Sequence, residues 1–96
     1  MILGDQGADV IKVEKPAGGD YVRKGANRRG DLGAAFLNNN RNKRSIVLNL
    51  KHARGVEILL KLVADADVFV QNFRPGVAAR MGLGEDVIRG AKPDIV

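Results

Sequence analysis

The sequence predicts an α/β fold with a mostly parallel sheet. An amphipathic helix pattern at residues 53–64 stands between two runs typical of strands, residues 45–49 and 67–71. The turns between these segments are short, so together they predict a βαβ unit with parallel strands and a right-handed crossover. A chain of 96 residues with 45% hydrophobic and 28% charged side chains has the composition of one small globular domain.

The elements before this unit are a strand, a loop and a helical turn. Residues 8–13 are rich in β-branched side chains and are bounded by Gly7 and Pro16, which predicts the first strand. Residues 15–33 contain many glycines and charged side chains, which predicts a long loop. We expect a short helical turn over residues 34–39, before the second strand.

The central helix and the elements after it follow from spacing and from turn residues. Residues 53–64 carry a continuous apolar face, which is formed by Val56, Leu59, Leu60 and Val63. Pro75 favours a helix start, and we expect a short helix from there toward Met81. Another turn is expected over residues 85–89, and a last strand after Pro93. Because the chain opens on apolar residues without a cap and stops where that strand begins, we expect a fragment of a longer protein.

The composition excludes several kinds of site. There is no cysteine and His52 is the single histidine, so disulfides, thiolate sites and histidine-rich metal sites are excluded, and we expect no metal. No apolar run approaches the roughly 20 residues that span a bilayer, and the first residues lack the pattern of a signal peptide. We therefore expect a soluble, cytoplasmic protein with no membrane partner. The net charge of +5 indicates an anionic partner.

Charged and polar side chains follow each predicted strand. Lys15 follows the first strand, Lys51 the second, and Asn72, Phe73 and Arg74 the third. Ligands of open α/β sheets bind beyond the carboxyl ends of the strands. An aromatic ring beside a guanidinium can stack on a purine while the guanidinium holds phosphate. The alternative is a core position for Phe73 and a solvated Arg74, and the residues alone do not decide between the two.

Other motifs are open to a structural interpretation. Arg41, Lys43 and Arg44 form a basic run that suits either a phosphate contact or a solvated surface. No GxGxxG follows a strand and no P-loop is present, so we predict a simple turn at residues 82–84. His52 has no Ser, Cys or carboxylate partner in the sequence pattern, and we expect a surface or capping role.

Three strings together resemble the class III CoA-transferase family, which includes formyl-CoA transferase, carnitine CoA-transferase and α-methylacyl-CoA racemase. They cover nearly the whole chain in the family's order and read GADVIKVEKPAGGD, NRNKRSIVLNLK and ADVFVQNFRPGVAARMGLG. The resemblance implies a Rossmann-like large domain, of which residues 1–96 form a partial, N-terminal, CoA-binding portion. It also implies a homodimer of interlocked, ring-like chains in the full-length form.

The resemblance further implies a reaction and a set of ligand contacts. The family moves CoA between carboxylic acids through an enzyme aspartate that would lie beyond residue 96, so no catalytic residue is assigned here. The implied partners are a CoA thioester and a small carboxylic acid, with no nucleic acid and no metal. Arg41, Lys43 and Arg44 match a family string but are less certain contacts. The residues implied to contact coenzyme A or acyl-CoA are Lys15, Leu48, Asn49, Leu50, Lys51, Asn72, Phe73, Arg74 and Arg80.

Two alternatives stay open. Racemisation of α-methylacyl-CoA esters is the nearest, because in the same family that chemistry uses residues further along. A small basic nucleic-acid-binding module is the alternative from another class and is suggested by the net charge. Against it, aromatic residues are only 4% of the chain and its charges are scattered over loops rather than set on one recognition element.

Overall fold

The protein is described by a computed structural model that covers residues 1–30 and 32–96. The chain forms two compact units, residues 1–47 and residues 48–96, and each is described by itself. The loop predicted over residues 15–33 includes residue 31, which lies outside the described residues.

The first unit is built on a parallel pair of strands. β1 (Val10–Glu14) pairs with β4 (Lys43–Val47) from Val10 opposite Lys43 to Glu14 opposite Val47. α1 (Ile2–Asp5) precedes the pair. The segment between the strands holds a 3₁₀ helix (Tyr21–Lys24), the antiparallel two-residue strands β2 (Arg28–Arg29) and β3 (Leu32–Gly33), and α2 (Ala34–Asn39). The predicted α/β class and its parallel sheet are confirmed.

Several predictions for this unit need correction. The first strand runs from Val10 to Glu14 rather than over residues 8–13. Residues 15–33 are not one loop, because they contain the 3₁₀ helix, β2 and β3. α1 was not expected at all. The second strand begins and ends two residues earlier than residues 45–49, because the Asn49 carboxamide forms a local turn instead: its Oδ1 accepts a hydrogen bond from the Lys51 N–H at 3.1 Å.

The second unit is helical and holds most of the buried apolar side chains. It contains α3 (Ala53–Ala64), α4 (Val77–Arg80) and α5 (Glu85–Ala91), with α3 in contact with α5. The predicted apolar face of α3 is confirmed, since Leu59 and Val63 are buried. His52 caps this helix, as expected, by accepting a hydrogen bond at Nδ1 from the Arg54 N–H at 3.1 Å.

The predicted third strand and the last strand expected after Pro93 are both absent from the part of the chain that the structure describes, so the predicted βαβ unit is not formed there. Residues 67–71 form no strand, although the Phe69 N–H donates to the Val96 carbonyl at 2.9 Å and the Val96 N–H donates to the Asp67 carbonyl at 3.1 Å. This pair of bonds has the pattern of a single parallel bridge. A strand needs a continued ladder, and one bridge is too short to make residues 67–71 the strand that the β-branched run predicted.

The turn predicted at residues 82–84 is confirmed. The Gly82 N–H donates to the Ala79 carbonyl at 3.0 Å, and the Leu83 N–H donates to the Ala78 carbonyl at 2.9 Å. Gly82 has a left-handed φ of 75°, so the three features form the Schellman ending of α4. Leu83 is buried just beyond it, which makes this glycine pair a structural turn.

Among the residues that the structure describes, no helix has both the length and the apolar character needed to cross a membrane.

Candidate functional site

Lys15 stands directly after β1, at the start of a short loop that we call the β1 exit loop (residues 15–19). Its side chain is exposed. The loop backbone has left-handed φ values in succession, 57° at Ala17, 105° at Gly18 and 61° at Gly19. The Lys24 ammonium lies beside the loop, with Nζ 3.5 Å from the position that a Cβ on Gly18 would take.

The carboxylate of Glu14 is the buried centre of the first unit. Its side chain is 2% exposed. The Arg23 guanidinium donates to it twice, from Nε to Oε2 at 2.8 Å and from Nη2 to Oε1 at 2.6 Å. The Ser45 hydroxyl donates to Oε1 at 2.7 Å, and the Asp20 N–H donates to Oε2 at 2.9 Å. These hydrogen bonds, Arg23 first, outweigh the desolvation of the carboxylate and lower the pKa of Glu14 to about 2.

A second layer holds the Arg23 side chain in place. Its guanidinium carbon lies 4.0 Å from the centroid of the Phe36 ring, a cation–π contact. On the same ring, Lys12 Nζ lies 5.9 Å from the centroid and forms an ion pair with Asp20 Oδ2 at 2.7 Å. The hydrogen bond from Lys12 is the main reason that the pKa of Asp20 is lowered. Two cations therefore lie over the Phe36 ring, and each of them is paired with a carboxylate, Arg23 with Glu14 and Lys12 with Asp20.

The basic run before β4 is occupied by intramolecular partners. Arg41 donates to both carboxylate oxygens of Asp5, at 2.6 Å and 3.1 Å, which lowers the pKa of Asp5. Arg44 likewise donates to both oxygens of Asp9, at 2.5 Å and 2.9 Å. Lys43 donates to the Asn40 side-chain oxygen at 3.0 Å. Of the two interpretations of this run, the geometry favours a solvated, ion-paired surface over a phosphate contact.

Four of the predicted contacts lie in the turn before α3. Leu48 is buried, Leu50 is half-buried, and the Asn49 and Lys51 side chains are exposed. The Asn49 side-chain oxygen accepts from the Lys51 N–H, and the Asn49 carbonyl accepts from the His52 N–H at 3.1 Å. These bonds fix the direction of the chain at Lys51 and leave its ammonium in solvent.

The remaining predicted contacts lie in the irregular segment before α4 and at the end of that helix. Asn72, Phe73 and Arg74 are exposed, and the Phe73 N–H donates to the Gln71 side-chain oxygen at 2.8 Å. Phe73 is 45% exposed, so it is not the core residue of the alternative interpretation. Arg80 lies close to this segment, with Nη1 3.3 Å from the position of a Cβ on Gly76.

The structure therefore brings some predicted residues together within a unit. Arg80 folds over the turn that follows Arg74, and Asn49 is bonded to Lys51, both in the second unit. Lys15 belongs to the first unit and is described there.

A difference in pairing separates the predicted contact cations from the other basic residues near them. Within the described residues, the side chains of Lys15, Lys51, Arg74 and Arg80 make no hydrogen bond or ion pair with another residue, and Lys24 and Arg29 share this property. Arg23, Arg41 and Arg44, in contrast, each bind a carboxylate with two nitrogens. The unpaired side chains are the ones free to bind an external anion.

The second unit also contains an apolar cleft, and none of these cations lines it. It has a volume of about 450 Å³ and is lined by, among others, Phe69, Ala78, Leu83, Ile88 and Ile95. None of the predicted contact residues lines it. Its basic residue, Arg89, donates to the Ile95 carbonyl at 2.8 Å and to Glu85 Oε1 at 2.9 Å, so the cleft offers an anion no free cation.

The hydrogen bonds that surround Glu14 were not predicted from the sequence. The available signal was the alternation along β1, in which Val10, Lys12 and Glu14 share one face and Glu14 ends the strand. No spacing rule connects Glu14 to Arg23 or to Ser45, because the three residues come from separate elements that meet only in the fold.

A family model described as CoA-transferase family III matches residues 1–96. The succinyl-CoA–L-malate CoA-transferase β subunit of Chloroflexus aurantiacus is 44% identical over 97 residues, which cover 99% of this chain and 24% of that protein. The formyl-CoA:oxalate CoA-transferase of Escherichia coli is 42% identical over 91 residues, which cover 94% of this chain and 22% of that protein.

The fold has a close counterpart among solved structures. The crystal structure of a CAIB/BAIF family protein from Brucella suis superposes with a TM-score of 0.89 at 36% identity, over 98% of this chain and 26% of that one. The chain thus spans about a quarter of the length of the curated relatives that it matches.

Proposed function

The chain belongs to CoA-transferase family III, and from this we propose that its full-length gene product moves CoA from an acyl-CoA donor to a small carboxylic acid. In such a transfer the donor thioester becomes a free carboxylate, and the acceptor carboxylate becomes the new thioester. Residues 1–96 supply part of the CoA-binding site in this proposal. The transfer chemistry itself is assigned to residues that follow residue 96.

The observation that carries the proposal is the unpaired state of the cations that the family resemblance singles out. Lys15, Lys51 and Arg80 are exposed and have no anionic partner among the described residues, although carboxylates occupy several other basic side chains. CoA carries phosphates that need such partners, and a lysine or arginine side chain binds them by charge-assisted hydrogen bonds. We assign these three side chains to the CoA phosphates.

The other predicted contacts complete the proposed site. Phe73 presents a half-exposed ring that can pack against adenine or pantetheine, with the Arg74 guanidinium beside it. Leu48, Asn49 and Leu50 form the turn that carries Lys51, and Asn72 offers an amide next to the ring. The apolar cleft of this unit is not part of the proposed site, because it exposes no unpaired cation.

The relatives suggest the class of acid. Their names join succinyl-CoA with L-malate and formyl-CoA with oxalate, so small acids and dicarboxylates are the acceptors that we would screen first. A homodimer remains the expected assembly of the full-length product.

A calorimetric titration of the full-length gene product with CoA tests the proposal, beside a titration with duplex DNA. We expect saturable CoA binding that is weakened about tenfold by Lys51→Ala or by Arg80→Ala, as the loss of one charge-assisted contact predicts. Arg44→Ala is the matched control, because Arg44 is basic and exposed but bonded to Asp9, and it should leave CoA affinity unchanged.

Two results would contradict the proposal. Unchanged CoA affinity in both contact variants would remove the assigned residues from the site. A folded protein that ignores CoA but binds DNA with a steep loss of affinity in salt would favour the nucleic-acid alternative.

A further inference from the structure

The β1 exit loop is closed at its base by one carboxylate. Glu14 ends β1, and its Oε2 accepts from the Asp20 N–H at 2.9 Å, directly beyond the far end of the loop. The loop therefore begins directly after the backbone of Glu14 and ends directly before a residue that is hydrogen-bonded to the Glu14 side chain. On its strand side, Glu14 is held opposite Val47 in the parallel pair.

The loop also passes very close to that carboxylate. A Cβ on Gly19 would lie 2.3 Å from Glu14 Oε2, so any larger residue at this point would have to displace the carboxylate from its hydrogen bonds. Gly19 in turn has a φ of 61°, which a residue with a side chain adopts at a cost. Contact and backbone conformation therefore fix the loop in one path over Glu14.

Besides the Asp20 N–H, two side chains donate hydrogen bonds to the Glu14 carboxylate. Arg23 grips both oxygens, and its guanidinium rests on the Phe36 ring. Ser45, from β4, donates to Oε1. The two carboxylate oxygens of Glu14 together accept four hydrogen bonds, and the side chain is 2% exposed. Glu14 therefore has little freedom to move.

We infer that Glu14, gripped by Arg23, is a positioning residue that places Lys15 for its contact with CoA. This inference rests on the proposed function, since Lys15 is the phosphate contact assigned there. Glu14 does not touch the ligand in this scheme. It fixes the backbone at the base of the loop, so that the chain presents the Lys15 side chain from a defined position before CoA arrives and less backbone ordering is needed on binding.

A double-mutant cycle in the full-length gene product tests the inference, with the KM for the CoA thioester and kcat as readouts. Glu14→Gln keeps the size of the side chain but cannot match the two-pronged guanidinium of Arg23. We expect it to raise KM about tenfold with kcat within about twofold, since a tenfold change corresponds to about 1.4 kcal/mol of binding. In a Lys15→Ala background the same change should raise KM less than about twofold, because the group being positioned is gone.

Two further variants keep the test decisive. Asp9→Asn breaks the exposed pair with Arg44 and serves as the control, for which we expect an unchanged KM. If Glu14→Gln does not fold, Arg23→Lys is measured in the same cycle, since lysine keeps the positive charge but cannot donate to both carboxylate oxygens as the guanidinium does.

The possible failures are distinguishable. Wild-type protein that does not bind CoA would contradict the proposed function and with it this inference. A Lys15→Ala variant with unchanged KM, in a protein that binds CoA, would remove Lys15 from the site and overturn this inference alone. If Lys15→Ala raises KM but the Glu14 or Arg23 change raises it by the same factor in both backgrounds, the positioning role alone is overturned, and the network is merely structural.

Discussion

Arg23 binds both carboxylate oxygens of Glu14, at 2.8 Å and 2.6 Å, across nine residues of chain. The pair joins the end of β1 to the 3₁₀ helix and so fixes the loop between them. A buried ion pair of this kind is weak proof of added stability, because desolvation opposes the Coulomb attraction. If either Glu14 or Arg23 is replaced, the other is left with an uncompensated charge. Substitutions at either residue should therefore destabilise the first unit.

Acid should destabilise the protein through Glu14. Its pKa is lowered from 4.5 to about 2, so its contribution to stability is fully present above pH 4.5 and is lost as the pH falls from 4.5 toward 2. At about 1.4 kcal/mol per tenfold change in proton affinity, the whole contribution is on the order of 3 kcal/mol.

Thermal unfolding of the full-length product as a function of pH checks this. We expect the Tm difference between the wild type and Glu14→Gln to be largest at neutral pH and to shrink through this window, since glutamine does not titrate. The depressed pKa values of Asp5 and Asp20 act in both proteins and largely cancel in the difference. A difference that stays constant from neutral pH to pH 2 would contradict the account.

Gly19→Ala should be much more destabilising than Gly30→Ala. The two glycines have nearly the same φ, 61° and 62°, so alanine brings the same left-handed backbone cost of about 1–2 kcal/mol at either position. A Cβ on Gly19 would meet Glu14 Oε2 at 2.3 Å, whereas none of the described residues other than its chain neighbours comes within 4 Å of one on Gly30. Denaturant unfolding should show an extra loss of roughly 1–3 kcal/mol for Gly19→Ala, the usual cost of overpacking. Equal losses would show that Glu14 is not held against the loop.

Gly55→Ala should destabilise the second unit, although Gly55 lies in a helix where alanine is normally favoured. A Cβ there would lie 2.1 Å from the Asn49 carbonyl oxygen, a backbone atom that cannot move away without disturbing the turn that carries Lys51. Gly90→Ala in α5 is the control, because among the described residues no atom outside its own helix backbone and its chain neighbours lies within 4 Å of its Cβ position. By helix propensity alone we expect the control to gain about 0.5–1 kcal/mol. A gain of the same size for Gly55→Ala, measured in the same unfolding experiment, would contradict the close approach.

Local patterns predicted some elements well. The bounds of α2 and α3 agree with the predicted residues 34–39 and 53–64, because apolar spacing and the flanking turn residues decide both. Residues 67–71 have the β-branched content of a strand but lack the ladder, since propensity does not supply a partner.

The candidate site was predictable from motifs where its residues follow one another, and not where they meet across the fold. Asn72, Phe73 and Arg74 are contiguous and were identified as a group. The sequence also showed that Arg41 and Arg44 are charged. It did not show that they pair with Asp5 and Asp9, because the partners lie 36 and 35 positions away. Glu14 lies inside a string that resembles the family, but nothing in that string indicates its bonds to Asp20, Arg23 and Ser45.

The most direct test of the central claim is a transfer assay with the full-length gene product. An acyl-CoA donor such as succinyl-CoA or formyl-CoA is incubated with small carboxylic acids, L-malate and oxalate among them, and the CoA thioesters are identified by mass spectrometry. The account predicts that each donor thioester lost is matched by one new thioester of the acceptor, without accumulation of free CoA. A folded, CoA-binding protein that forms no acceptor thioester, but epimerises an α-methylacyl-CoA instead, would contradict the transferase assignment.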